Sequence, residues 1–195
     1  MDSNNLEDLI YSENVIGFTT LATEYCNMLD EVVLISQKDF IDKLHRLLPL
    51  IYLKAIVLPD LEPEMPEMIE KTVTQEEWDA VNTTIAKKLL EFNEYTEILD
   101  PLTDEQQMTS LSEGISDIYQ DLKDYVYLYN MGTVEIMNDA IWDCKKNFKE
   151  YWGQRLTNIT RVLHNLLYGN IILKDNDALT EKDFDPETWE KNNED

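Results

Sequence analysis

Apolar side chains recur every three or four residues along most of this chain, and that spacing is what most restricts its fold. An α-helix turns once in about 3.6 residues, so residues at this spacing share one face. The pattern runs through residues 13–33, 39–58, 74–92, 111–129 and 133–168. Only 5 glycines and 6 prolines occur in 195 residues, which disfavours a turn-rich β fold. We therefore predict an all-α, single-domain bundle of roughly five to seven helices.

Prolines and capping residues mark where these helices are expected to break. Pro49 lies inside the second helical stretch and predicts either a kink or two abutting helices. Three prolines between residues 59 and 66 predict an extended, proline-rich linker on the surface. Thr74-Gln-Glu-Glu77 has the form of a capping box, so the next helix is expected to begin there. A further helix is expected to begin near Ser110 or Ser112.

The C-terminal end differs in composition from the rest of the chain. Nine acidic residues and two lysines lie between Asp175 and Asp195. We therefore expect a helical bundle domain over residues 1–173 and an acidic tail over residues 174–195. Asp185-Pro186 has the form of an N-cap followed by proline at the first helical position, which predicts a short terminal helix within the tail.

The acidic charge of the chain restricts its partners. Forty Asp and Glu stand against sixteen Lys and Arg, which gives a formal net charge of −24. Nucleic-acid backbones and anionic membrane surfaces both bind cationic groups, so we expect neither direct nucleic-acid binding nor membrane binding. The charge either keeps the protein in solution or attracts a basic protein. A third hypothesis is an acidic imitation of nucleic acid.

Three features predict a cytoplasmic protein. No Lys or Arg precedes Lys38, so the chain begins without the basic region of a signal peptide. The most apolar window, residues 47–58, is shorter than the ~20 residues that a membrane-spanning helix needs. Cys26 and Cys144 are too few for a disulfide framework, so reduced thiols are expected.

The histidines and nucleophiles of the sequence match no catalytic or metal-binding motif. His45 and His164 belong to neither a His-Glu-x-x-His nor a Glu-x-x-His pattern. Asp42 precedes His45 by three residues, and a surface salt bridge explains that pair. Neither a glycine-rich phosphate loop nor a Gly-x-Ser-x-Gly motif occurs. We therefore predict no metal and no cofactor, and we assign no catalytic residue.

Carboxylates at helical spacing are the strongest argument for a metal enzyme. Helical nucleotide pyrophosphatases hold Mg²⁺ with Glu-x-x-Glu pairs, because oxygen ligands suit that ion. The candidates here are Glu91 with Glu94, and a stripe of Glu113, Asp117, Asp121 and Asp124. Helical geometry places both groups opposite the apolar faces of their helices. We therefore expect solvated carboxylates rather than an ion site inside the bundle.

One segment departs from the acidic background. Residues 143–161 contain five Lys and Arg against two acids. The candidate binding residues in and after it are Trp152, Arg155, Arg161 and His164. Small residues beside them would admit a ligand or another helix, and arginine holds carboxylate or phosphate with two hydrogen bonds. The alternative is that the arginines pair with the protein's own acids.

Two stretches of the chain resemble a known family. They are Leu44-His-Arg-Leu-Leu-Pro-Leu-Ile-Tyr-Leu-Lys-Ala-Ile-Val-Leu-Pro59 and Tyr151-Trp-Gly-Gln-Arg-Leu156 with Arg161-Val-Leu-His164. Their order and spacing resemble an uncharacterised, all-helical bacterial family of about this length, catalogued as a domain of unknown function. The resemblance implies a helical fold, and it supplies no catalytic residue.

These observations favour a protein-interaction or adaptor module that is a monomer or a homodimer. Its acidic faces would speed association with a basic protein partner. The aromatic and arginine residues around Trp152 have the composition of an interface hot spot. The alternative is a small-molecule or nucleotide-handling enzyme with its site in the helical bundle, which requires a concave pocket lined by convergent polar groups.

Overall fold

The computed structural model describes residues 3–100, 103 and 105–174. Within these residues the chain forms seven α-helices and one small two-stranded hairpin, so the predicted all-α bundle is confirmed. The elements are α1 (Ser3–Ile10), α2 (Glu13–Asp30), α3 (Gln37–Ile56), α4 (Gln75–Leu89), β1 (Glu94–Asp100), β2 (Glu105–Ser110), α5 (Leu111–Asn130), α6 (Val134–Asn147) and α7 (Gly153–Tyr168). Residues 175–195, which hold the predicted terminal helix and nearly all of the predicted acidic tail, lie outside the described residues.

Helix α5 packs against more helices than any of the helices around it does. It packs against α2, α4, α6 and α7, while α3 packs against α2 and α7. The apolar positions predicted for these faces are buried, and examples that are fully shielded from solvent are Val15, Phe18, Leu44, Ile118 and Leu163. None of the described helices is both long and apolar enough to span a membrane.

Helix α3 continues through its internal proline. It runs from Gln37 to Ile56 with Pro49 inside it, so the predicted alternative of two abutting helices is wrong. Pro49 is exposed, while Leu48 and Ile51 beside it are fully buried. Burial of two such side chains contributes about 3–6 kcal/mol. That gain matches or exceeds the roughly 3 kcal/mol that a proline costs inside a helix.

Side-chain caps fix where α4 and α5 begin. In the predicted capping box, the Thr74 backbone N–H donates to Glu77 Oε2 at 2.8 Å, and the Glu77 backbone N–H donates to Thr74 Oγ1 at 3.2 Å. Ser110 caps α5 by accepting the backbone N–H of Glu113 at 3.2 Å. Both predicted starts are therefore confirmed, because each cap satisfies an amide that the first helical turn leaves free.

The hairpin between α4 and α5 was not predicted. Its strands are antiparallel, with Glu94 opposite Ser110 at the base and Asp100 opposite Glu105 at the far end. Most of β2 is exposed and polar. It therefore lacks the alternation of apolar and polar residues that identifies a half-buried strand. The Leu111 backbone N–H donates to the Asn93 carbonyl at 2.7 Å, which joins the base of the hairpin to α5.

The predicted proline-rich linker is present, and the structure anchors it firmly. We call residues 58–73 the strap. It contains one short 3₁₀ turn, Pro66–Met68, and its apolar residues Leu58, Leu61 and Val73 are buried. The strap thus contributes to the core, which its composition alone did not indicate.

Two buried aspartates hold the strap through its backbone. Asp139 of α6 accepts the backbone N–H of Glu64 at 2.7 Å and that of Met65 at 2.6 Å. Asp124 of α5 does the same for residues 72–73, at 2.7 and 3.0 Å. Each carboxylate is 2% exposed, so these bonds satisfy charges and amides that water does not reach. The strap is therefore fixed across α5 and α6 through its backbone as well as through its buried side chains.

Candidate functional site

The four residues predicted to form a binding site do not share one surface, and Trp152 lies in the core. Its side chain is fully buried, with ring centroids 4.8 Å from Phe148 and 6.5 Å from Phe18. Within the described part of the chain, its indole Nε1 has no hydrogen-bond partner. Trp152 therefore packs the bundle interior and presents no face to a ligand in this conformation.

Arg155 pairs with one of the protein's own carboxylates. Its Nη1 donates to Asp117 Oδ2 at 2.6 Å, and its guanidinium lies 4.2 Å from the centre of the Tyr151 ring. Trp78 Nε1 and Tyr151 Oη also donate to the Asp117 carboxylate, each at 3.1 Å. This arrangement is the alternative considered from the sequence, in which an arginine is satisfied internally.

Arg161 and His164 lie away from Arg155 around α7. Nine residues separate Arg155 from His164, which at about 100° per residue places them on opposite sides of the helix. Arg161 and His164 are both exposed, and the His164 ring lies 5.7 Å from that of His45. Burial and the neighbouring His164 lower the pKa of His45. The four residues thus divide among the core, an internal ion pair and a surface that carries the two histidines.

The prediction that the α5 carboxylates face solvent holds for Glu113, which is exposed, and is wrong for the other three. Asp124 is buried, and Asp117 and Asp121 are largely shielded, whereas Glu91 and Glu94 are exposed as predicted. Contacts from outside the helix are the reason. The strap crosses α5 at Asp124. The Asp117 carboxylate is covered by the side chains of Trp78, Tyr151 and Arg155. The periodicity of a single helix carries no information about such long-range contacts.

The ammonium group of Lys71, a strap residue, lies among two carboxylates of α5 and one of α6. Its Nζ lies 3.2 Å from Asp143 Oδ2, 3.7 Å from Asp121 Oδ1 and 3.8 Å from Asp124 Oδ2. Burial is the main reason that the pKa of Asp121 is raised to about 6; Lys71 opposes that rise and the neighbouring carboxylates add to it. Among the described residues, no group of three His, Cys, Asp or Glu is arranged to hold a metal ion. The carboxylates therefore surround an ammonium group, which ties the strap to α5 and α6.

An apolar strip lies on the solvent side of the last two turns of α3. Leu50, Leu53, Ile56 and Val57 are 49%, 58%, 51% and 44% exposed. At about 100° per residue, the four fall within an arc of about 120°. Exposed apolar groups of this kind mark contact sites on soluble proteins. We call these four residues the α3 strip and take it as the candidate docking surface.

The α3 strip is bordered on one side by α2. Ile16 of α2 is also half exposed, and Lys54 Nζ donates to Asn14 Oδ1 at 3.4 Å across the two helices. Sequence reasoning missed this surface. The signal was the apolar run over residues 47–58, because a helix that is apolar on every side must be enclosed or must expose part of that surface.

Comparisons with known proteins agree with the helical architecture. The model of the family DUF5063, a domain of unknown function, matches residues 9–169, which include the α3 strip and α7. The crystal structure of protein BF1032 from Bacteroides fragilis is similar, with 37% sequence identity over 83% of this chain and 96% of that chain and a TM-score of 0.76. A search of curated proteins finds no match. The resemblance seen in the sequence is confirmed, and this chain belongs to the DUF5063 family.

Proposed function

We propose that this protein is an interaction module that docks a basic protein partner on the α3 strip. The observation that carries the proposal is the exposure of four aliphatic side chains over the last two turns and the C-cap of one helix. Covering the exposed half of four such side chains contributes roughly 3–6 kcal/mol. That contribution supports a specific complex once polar and charged contacts around the strip are added.

The net charge favours a basic partner over a second copy of this chain. Two molecules that each carry a charge of −24 repel one another at long range, whereas a basic protein is attracted and associates faster. The partner we infer therefore carries a net positive charge and presents an apolar contact surface. The competing occupant of the α3 strip is a second copy of this chain.

A cytoplasmic location is part of this proposal. Cys26 and Cys144 are both buried and unpaired. Burial raises the pKa of the Cys26 thiol to about 12 and that of Cys144 well above its ordinary value. Such thiols stay protonated and unreactive, which suits a compartment where disulfides are not formed.

The decisive experiment compares capture by the wild-type protein with capture by Leu53→Asp at low and at high salt. Leu34→Asp serves as the control, because Leu34 is an exposed leucine outside the strip, at 45% against 58% for Leu53. We expect a basic protein that Leu34→Asp retains and Leu53→Asp loses, with less capture at high salt because salt screens the attraction. A photo-reactive residue at position 53 should cross-link to that protein after both are purified.

Two results would contradict the proposal. One is a partner that Leu53→Asp binds as well as the wild-type protein does, since the strip would then have no part in binding. The other is a wild-type homodimer, measured by light scattering, that Leu53→Asp converts to monomer, since the occupant would then be a second copy. Both variants alter exposed side chains, so circular dichroism should show an unchanged fold.

A further inference from the structure

A cleft between the strap and α6 collects basic residues in an otherwise acidic protein. Lys145, Lys146 and Lys149 line it, and they are three of the sixteen Lys and Arg in the chain. Trp142 provides an aromatic wall, and Asp60 of the strap closes the other side. The cleft has a volume of about 270 Å³. That volume lies just below the roughly 300 Å³ at which ligand pockets usually begin, so the cleft has room for a small ligand only.

The cleft contains a buried cation. The Lys145 side chain is only 10% exposed, and its Nζ donates to the Leu58 carbonyl at 2.5 Å. A buried ammonium is costly unless a negative charge accompanies it. In this structure that charge is Asp60, whose Oδ1 lies 2.8 Å from Lys145 Nζ. The cleft is therefore built to hold an anionic oxygen at this point.

Asp60 occupies that point without being packed in place. Its side chain is 80% exposed, and the same Oδ1 lies 2.9 Å from Lys149 Nζ, so one oxygen bridges two ammonium groups. The two lysines hold the pKa of Asp60 down to about 2. The Asp60 side chain is held at this point by its two ion pairs, so another anion can compete with it for Lys145 and Lys149.

The backbone around Lys149 is also unusual. Lys149 lies in a π-helical turn, Phe148–Trp152, which separates α6 from α7. Such turns are rare in helices and are frequently found at functional sites. Lys146 adds a third positive charge beside the aromatic wall, with its Nζ 5.4 Å from the centre of the Trp142 ring.

We propose that this cleft binds a small organic anion whose phosphate or carboxylate group replaces the Asp60 side chain between Lys145 and Lys149. The remainder of the ligand then packs on the Trp142 indole. Glu62 and Glu150 also line the cleft. Their charge favours a ligand with one anionic end and excludes a polyanion such as nucleic acid. This site does not depend on partner docking at the α3 strip.

The test uses Asp60→Asn, which removes the competing charge and keeps the size of the side chain. Inorganic phosphate, phenyl phosphate and benzoate are titrated by calorimetry at constant ionic strength, with chloride as the reference anion. We expect at least one of them to bind Asp60→Asn about tenfold more tightly than it binds the wild-type protein. Adding Lys149→Met to Asp60→Asn should remove that gain, whereas adding Lys43→Met, an exposed lysine of α3, should not.

Comparing the three ligands shows whether the cleft prefers a phosphate or a carboxylate group. Tight binding of both phosphates and not of benzoate assigns a phosphate ligand, and the reverse assigns a carboxylate ligand. A gain of phenyl phosphate over phosphate that Trp142→Ala abolishes supports the aromatic wall. Equal affinity of Asp60→Asn and wild type for all three anions would overturn the proposal, as would binding that Lys149→Met leaves unchanged.

A measurement on the wild-type protein covers the case in which Asp60→Asn does not fold. Titration of phenyl phosphate into isotope-labelled protein should shift the amide resonances of Lys145 and Lys149 and the indole resonance of Trp142. The amide of Lys43 should not move. If the shifts instead spread over unrelated lysines, or if none appear at these three residues, the cleft is not an anion site.

Discussion

Gly153 allows the change from the π-helical turn to α7. Its backbone N–H donates to the Phe148 carbonyl five residues earlier, which is the hydrogen bond of a π turn. A Cβ at position 153 would lie 2.5 Å from that carbonyl oxygen and 2.8 Å from Phe148 Cε2. A side chain therefore has no room there unless the turn that carries Lys149 rearranges.

We expect Gly153→Ala to lower the free energy of unfolding by about 1–3 kcal/mol, the usual cost of overpacking. Gly17→Ala is the matched control. A Cβ at position 17 would meet only the end of the flexible Lys54 side chain, at 3.1 Å. That variant should be neutral or more stable by up to about 1 kcal/mol, because alanine is the better helix former. Urea denaturation checks both, and a Gly153→Ala protein as stable as wild type would show that the π turn is not required.

Asp121 should make the stability depend on pH in mildly acidic solution. Its pKa is raised from 3.8 to about 6 in the folded protein, chiefly by burial. Between these values the folded state holds a proton that the unfolded state has released, so the contribution of Asp121 to stability falls as pH rises through this window. Asp121→Asn cannot ionise. Relative to wild type it should therefore gain stability as the pH rises from about 4 to about 7, by up to about 3 kcal/mol.

Urea midpoints across this pH range measure the effect of Asp121→Asn. Glu135→Gln, at an exposed acid of α6, provides the reference for a general change in charge. If the stability difference between wild type and Asp121→Asn is the same at both ends of the range, the buried carboxylate does not titrate as described.

The strap is the element whose position depends most on single side chains. The single carboxylate of Asp139 accepts two consecutive backbone amides, those of Glu64 and Met65, and it also accepts a hydrogen bond from Asn138 Nδ2. Removing the carboxylate leaves buried donors without an acceptor. The cost of such a loss is the desolvation of those groups, which exceeds the small net value of an ordinary hydrogen bond.

We expect Asp139→Ala to destabilise the protein by about 3 kcal/mol or more, at roughly 1.5–3 kcal/mol for each hydrogen bond to a charged group. Hydrogen exchange should locate the effect, with faster exchange of the Glu64 and Met65 amides than global unfolding explains. Glu135→Ala, on the exposed face of the same helix, should change stability by less than about 0.5 kcal/mol. Unchanged exchange at residues 64 and 65 in Asp139→Ala would contradict this role.

The elements also show how far the sequence predicts this structure. The apolar spacing of α2 and the capping box at Thr74 are local, and both were predicted correctly because the residues concerned lie within a few turns of one another. The hairpin was missed because every residue of β2 except Met108 is polar, so the strand shows no apolar alternation. The burial of Asp124 was missed because its partners, residues 72–73, lie about fifty positions earlier in the chain.

The candidate site was less predictable than the fold. Trp152 was predicted to be a binding residue because the segment around it is rich in aromatic and arginine side chains. The packing of Phe18 and Phe148 against it places it in the core instead. The α3 strip shows the opposite case, because apolar periodicity predicts burial and cannot distinguish a buried face from one left open. Only the positions of the other helices determine which of these apolar faces is covered.

At the scale of the whole molecule, the net charge of −24 opposes the folded state by self-repulsion. Salt shortens the range of that repulsion from about 30 Å at 0.01 M to about 10 Å at 0.1 M. We therefore expect the thermal midpoint at neutral pH to rise as sodium chloride is added over this range. A gain of 1 kcal/mol corresponds to roughly 2–4 °C for a chain of this size.

The same salt series near pH 4.2, the isoelectric point of the sequence, is the control for this prediction. The net charge is close to zero there, so the rise should largely disappear. A midpoint that falls with salt at neutral pH would mean that the internal ion pairs, such as Arg155 with Asp117, contribute more to stability than the net repulsion costs.

The way the strap is anchored also determines the order in which the chain can assemble during synthesis. The strap leaves the ribosome before Asp124, Asp139 and Lys145, the residues that bind it. Helices α2 and α3, by contrast, contact each other directly and are adjacent in the chain. The connection between α3 and α4 can therefore be anchored at residues 72–73 once α5 has emerged, and at residues 64–65 only once α6 has emerged. Its complete anchoring joins the early half of the polypeptide to the late half.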